Sequence, residues 1–139
     1  MKSADQKEEV KTIEEEVKEH KKPKIETLLK FLSFQSFDGK FQPTKEFLKF
    51  FGKNSLDEFK FENIDNFENK DNEQKEKLCT IIALIYLEVI MMKDFKDECV
   101  ICYEKSKKAL VTKFKDYNEE NDKKITDSVR KWMNDWIKE

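Results

Sequence analysis

The residues with the richest chemistry are few. The chain has one histidine and three cysteines. His20 lies in a leader of Lys and Glu, where a solvated segment cannot hold the geometry that a Ser-His or Cys-His nucleophile needs. Cys99-Val100-Ile101-Cys102 forms a CxxC. Zinc requires four ligands, and no second CxxC or CxxH follows. A redox dithiol normally opens a helix after a strand, and no strand precedes this pair. Free Cys behaves as a small hydrophobe, so both are expected in the core. Adjacent carboxylates such as Asp57-Glu58, Asp97-Glu98 and Glu119-Glu120 are expected on solvated faces in a chain with 30 acidic residues. Two distant glycines, Gly39 and Gly52, cannot build a phosphate-cradling loop. No catalytic residue, cofactor or metal ligand is expected, and the chain reads as a non-enzyme.

The elements that would position any site are helical. The 139 residues correspond to about one domain. Charged residues make up 42% and hydrophobic residues 37%, with only two Gly and two Pro. So few breakers argue for long helices and against a many-turned β fold. The expected fold is all-α: a compact bundle of five to six helices with a central buried helix near 73–93. Residues 1–24 read as a charged linker, either a frayed helix or disordered, closed by Pro23. Residues 25–139 read as a helical interaction domain.

Ile25, Leu28, Leu29 and Leu32 recur at i, i+3, i+4, i+7 and predict a first domain helix over about 24–34. Asp38-Gly39 then signals a turn between helices one and two, with Phe37 and Phe41 flanking it. A short hairpin is the alternative there. Thr44 is a predicted N-cap for a second helix that ends at Gly52, and Ser55 a predicted cap for a short third. Residues 62–72 read as an exposed loop anchored by Ile64 and Phe67. The stretch Leu78 to Met92 spans about 22 Å as helix, short of the roughly 30 Å of a bilayer core. It is expected in the interior, not in a membrane. A break or bend is expected at Asp94 to Asp97, then a fifth helix over about 97–115. Ile125, Val129, Trp132, Met133 and Trp136 give the last helix one apolar stripe.

A net charge of −2 and a single Arg, Arg130, leave no basic stripe for DNA or RNA. Three cysteines without an apolar leader point to reduced thiols and a cytoplasmic setting. Ten of the twelve Phe lie between Phe31 and Phe67. Helical spacing favours core packing for them, while small helical domains also leave aromatic grooves for partners. Trp132 and Trp136 raise the same question.

The segment Leu28 to Phe41 reads as a helix, then Gln35, then the turn Asp38-Gly39-Lys40-Phe41, and continues through Thr44-Lys45-Glu46-Phe47-Leu48. A second block is Thr80-Ile81-Ile82-Ala83-Leu84-Ile85-Tyr86-Leu87-Glu88. Together they resemble the C-terminal, vault-interacting-type region of von Willebrand factor A domain-containing proteins and of the vault poly(ADP-ribose) polymerase. That region reads "L-x-x-L-Q-x-x-D-G-S-W", then a Thr-capped helix, then "T-A-L-A-L-A-Y-L-E". Lys40 and Phe41 depart from its Ser and Trp. Its last pattern, "K-A-x-x-W", has two counterparts, Glu104 to Val111 and Val129 to Ile137. The adhesion loop and the ADP-ribosyltransferase catalytic domain have no counterpart here. The resemblance implies a non-catalytic module that docks a protein onto the major vault protein of the ribonucleoprotein vault particle. Partner contacts would come from Phe37, Asp38, Gly39 and Phe41 at a groove between helices one and two, helped by Trp132 and Trp136. The alternative is a structural cap that stabilises a larger polypeptide and has no partner of its own.

Overall fold

The computed structural model describes residues 12–64, 70–115 and 118–139. Among them there are helices and turns and no strand, so the fold is all-α. The helix α1 covers Ile13–His20 and α2 covers Ile25–Leu32. The short α3 spans Lys45–Phe50, and one 3-10 turn follows at Leu56–Phe59. The long elements are α4, Asn72–Tyr86, α5, Met92–Thr112, and α6, Glu119–Trp136.

Each start has a local cause. Thr12 and Glu15 form a reciprocal capping box at α1. Thr44 Oγ1 accepts from the Phe47 amide, as its position before an apolar run predicts. Asp71 and Asn118 do the same for α4 and α6. The end of α3 is a Schellman motif: the Gly52 amide donates to Lys49 and the Lys53 amide to Leu48, with Gly52 at φ +80. Ser55 makes no side-chain cap. The Glu58 carboxylate accepts from the Asn54 amide instead, and the segment tightens into a 3-10 turn.

The interior helix is α4. Every residue from Lys77 to Tyr86 is buried. Helical winding does not stop at the expected 93. A π turn at Leu87–Met91 joins α4 to α5, and the bend falls at Phe95, whose φ of −131 and ψ of 41 leave the helical region. Three cross-links orient the neighbours of α4. Glu73, at its start, accepts from the Lys115 amide beyond the end of α5, so α5 runs antiparallel to it. Lys77 meets Asp122 and Glu88 meets Arg130, so α6 runs parallel to it.

The second half of the core is aromatic. Phe31 lies with ring centroids 4.5 Å from Tyr86, 4.9 Å from Phe50 and 5.4 Å from Phe41. Burying each such ring stabilises by about 1.5–3 kcal/mol. Phe51 carries the contacts onward to Trp136 at 5.3 Å and Phe59 at 5.7 Å. The Phe cluster thus joins α2 and α3 to α4 and α6. Phe67 lies outside the described residues, as do residues 1–11 of the leader.

The leader is not uniformly solvated. His20 is 7% exposed and stacks on Phe50 at 3.8 Å between centroids. The packed body therefore extends back across Pro23 to include α1. The cause is long-range: Phe50 and Tyr86 supply partners for His20 that its charged neighbours in sequence do not announce.

Candidate partner-docking site

The turn after α2 is tied down through the backbone groups of Ser36, Gly39 and Lys40. The Gly39 amide donates to Ser36 at 2.9 Å, and the Ser36 amide donates to Lys40 at 2.8 Å. Asp38 Oδ1 accepts from the Lys40 amide at 3.2 Å, a local Asx bond. The turn then docks on α5. Ser106 Oγ donates to the Gly39 carbonyl at 2.7 Å. Gln35 Nε2 donates to Ser106 Oγ and to the Cys102 carbonyl, each at 2.8 Å. Gly39 sits at φ +92, and a Cβ there would stand 2.7 Å from the Lys105 carbonyl oxygen. Only glycine meets both conditions. Past the turn, the Phe41 amide donates to Thr80 Oγ1 on α4 at 3.0 Å. The two sequence blocks that carry the family resemblance thus meet directly.

The predicted site residues divide into two sets. Phe37 is 90% exposed, at the crest of the turn, with Asp38 beside it. Phe41 is 0% exposed and lies against Phe31 and Phe47. Trp136 is 3% exposed, and Trp132 is half-buried. The two indoles stack on each other at 5.7 Å and pack with Phe51. Trp136 and Phe41 are linked through buried rings, by way of Phe47 and Phe51 and by way of Phe31 and Tyr86. The space between α2 and α3 holds Phe31, Phe41, Phe47 and Phe50, so no open groove separates them. The aromatic surface expected at the turn reduces to Phe37. Gly39 contributes shape and Phe41 holds the turn to the core.

Two clefts lie elsewhere. One, of about 230 Å³, sits between the start of α4 and α6 and is lined by Glu73, Lys77, Leu78, Phe114 and Ile125. The other, of about 310 Å³, has a floor of Ile81, Leu84 and Ile85, with Leu110 and Thr126 on its walls. Between them stands the buried pair Lys77–Asp122, 2.6 Å from Nζ to Oδ1. That contact is close enough for strong attraction but poorly aligned as a hydrogen bond, and both carboxylate oxygens are sealed from solvent. Removing either partner from such a pair costs about 3–5 kcal/mol. Glu88, in the second cleft, is held by the Tyr103 hydroxyl at 2.8 Å and by Arg130 at 3.2 Å. Neither ion pair is visible in the sequence, because 30 carboxylates offer no local sign of which one is enclosed.

Burial pushes the Cys79 and Cys99 thiols up, away from the reactive thiolate. Burial raises Tyr86 and Tyr103 as well, with the Glu88 carboxylate adding to the effect at Tyr103. Burial lowers His20, against the pull of its bond to the Phe50 carbonyl. Among the described residues no three of His, Cys, Asp and Glu converge as a metal set, and all three cysteines are free. No helix there is long and apolar enough to cross a membrane. Comparison with protein-family models, with curated proteins and with solved structures gives no match.

Proposed function

We propose that this chain is a non-catalytic protein-interaction module that docks through the turn at 36–40. Phe37 is the anchor, seated in an apolar pocket of the partner. The observation that carries this reading is a fully presented aromatic ring on a turn whose two sides are tied down. The ring is 90% exposed while Gly39 and Gln35 beneath it are bonded to α5. A preorganised anchor loses little freedom on binding, and aromatic anchors dominate interface energies. The resemblance of the turn and of the Thr80 block names the partner as the major vault protein and the setting as the cytoplasm. The buried thiols and the engaged His20 support a non-catalytic role.

The test is co-sedimentation of the full chain with vault particles, together with binding to purified major vault protein. Phe37→Ala is expected to weaken binding by about thirtyfold or more, the size of a strong anchor, with the melting temperature unchanged. Because Phe37 touches solvent and Phe41 the core, this variant separates docking from folding. A wild-type chain that stays out of the vault fraction removes the vault partner. Full binding by Phe37→Ala removes the turn as the site. The structural-cap reading then gains, since among the described residues the other large exposed apolar side chains are Ile13, Leu29, Ile101 and Val111, spread over α1, α2 and α5.

A further inference from the structure

The helix α1 is eight residues long, and a helix of that length is marginal in water by itself. Its order depends on what holds it to the body. Val17 packs where a Cβ on Gly52 would stand, 3.2 Å away. Lys21 Nζ lies 5.0 Å over the Trp136 ring. The strongest attachment is His20. Its ring lies parallel to Phe50, at an interplanar angle of 3°. Its Nδ1 is 2.7 Å from the Phe50 carbonyl oxygen. A carbonyl only accepts, so Nδ1 carries the hydrogen and the neutral ring has Nε2 bare. The Tyr86 hydroxyl donates to the His20 carbonyl, closing the clasp from α4.

We propose that α1 is an acid-releasable strap: protonation of the enclosed His20 ring loosens the clasp to Phe50 and Tyr86 and lets α1 leave the aromatic core. The chemistry is a proton equilibrium at Nε2. In the released strap the imidazole is hydrated and accepts a proton freely, whereas in the clasp the cation sits against an aromatic ring with little water. The groups facing the ring divide. Lys30 on α2 opposes the cation, while Glu16 and Glu19 on α1 favour it. Phe50 on α3 and Tyr86 on α4 bring no charge at neutral pH. Burial is the largest influence and lowers the His20 pKa below its ordinary value. The sign follows. The clasp is at full strength above the free-histidine pKa of about 6.5 and weakens as pH falls from there to the lowered value. Release uncovers the face of Phe50 on which His20 stacks.

Amide hydrogen exchange on the full chain tests this, with protection factors corrected for the intrinsic rate. Between about pH 7.5 and pH 5, the amides of Glu16 to Lys21 are expected to lose about threefold or more of their protection relative to Leu78 to Tyr86. His20→Gln, which keeps a donor but cannot titrate, is expected to abolish that selective loss. The loss is expected to begin near the free-histidine pKa of about 6.5 and to level off where the ring protons of the single histidine titrate in the folded chain. Equal behaviour of α1 and α4 overturns the strap. So does an unchanged loss in His20→Gln, which would assign it to Glu16 and Glu19. If that variant does not fold, a loss in the wild-type chain that continues below the ring titration, or a ring that titrates at or above the free-histidine pKa of about 6.5, overturns it equally.

Discussion

Two attachments in this molecule do similar work by opposite means. The turn at 36–40 is held by backbone geometry: a glycine at φ +92, a carbonyl bonded to Ser106, and an amide side chain bridging to α5. The α1 strap is held by one titratable ring and one hydroxyl, with Val17 against Gly52 and Lys21 over Trp136 beside them. The groups that dock the turn on α5, a serine hydroxyl and a glutamine amide, do not titrate. The strap we propose is fixed through an imidazole, whose grip changes with its protonation. The exposed aromatic ring thus sits on the attachment built without an imidazole.

Three substitutions break or sharpen this contrast. Gly39→Val has the largest expected effect. It places a β-branched residue at positive φ and drives a Cβ into the Lys105 carbonyl. A loss of about 3 kcal/mol or more is expected in urea unfolding, spread over the whole domain because the turn ties α2 to α5. Ser106→Ala comes next. It leaves the buried Gly39 carbonyl without its donor and takes one acceptor from Gln35. A loss of about 1–3 kcal/mol is expected, again in global unfolding. Tyr86→Phe is the smallest. It removes the donor to the His20 carbonyl but keeps the ring in the core. About 1 kcal/mol is expected, and it should appear as faster exchange in α1 with α4 and α5 little changed. If Tyr86→Phe lowers the stability of the whole chain instead, the two attachments are not energetically separate.

What the sequence discloses depends on how far away the deciding partner lies. The stripe that buries Leu28 and half-buries Ile25 and Leu32, though it leaves Leu29 58% exposed, and the stripe that buries Val129, Met133 and Trp136 are visible because helical periodicity is local. The caps at Thr44 and Gly52 are visible for the same reason. The fates of Phe37 and Phe41 are not. Both are Phe beside one Asp-Gly, and only the docking of the turn on Ser106 and Thr80 sends one outward and the other in. His20 is hidden in the same way, since its charged neighbours describe a solvated leader while its partners lie 30 and 66 positions further along. The break or bend expected at Asp94 to Asp97 is a bend at Phe95, and the π turn at 87–91 carries the helix into it. At the site, the resemblance marks the turn, but Gln35 and Ser106, which make it rigid, gain meaning only when α5 is placed against them.

The stacked indoles have a spectroscopic consequence. The chain has two tryptophans, and both belong to one stack on α6, with Lys21 over one and Lys53 over the other. Ultraviolet emission therefore monitors a single neighbourhood. It will register the departure of α6 or of the N-terminal strap, and it will stay dark to anything that seats itself on Phe37. Optical titrations of a ligand at that crest need a dye of their own.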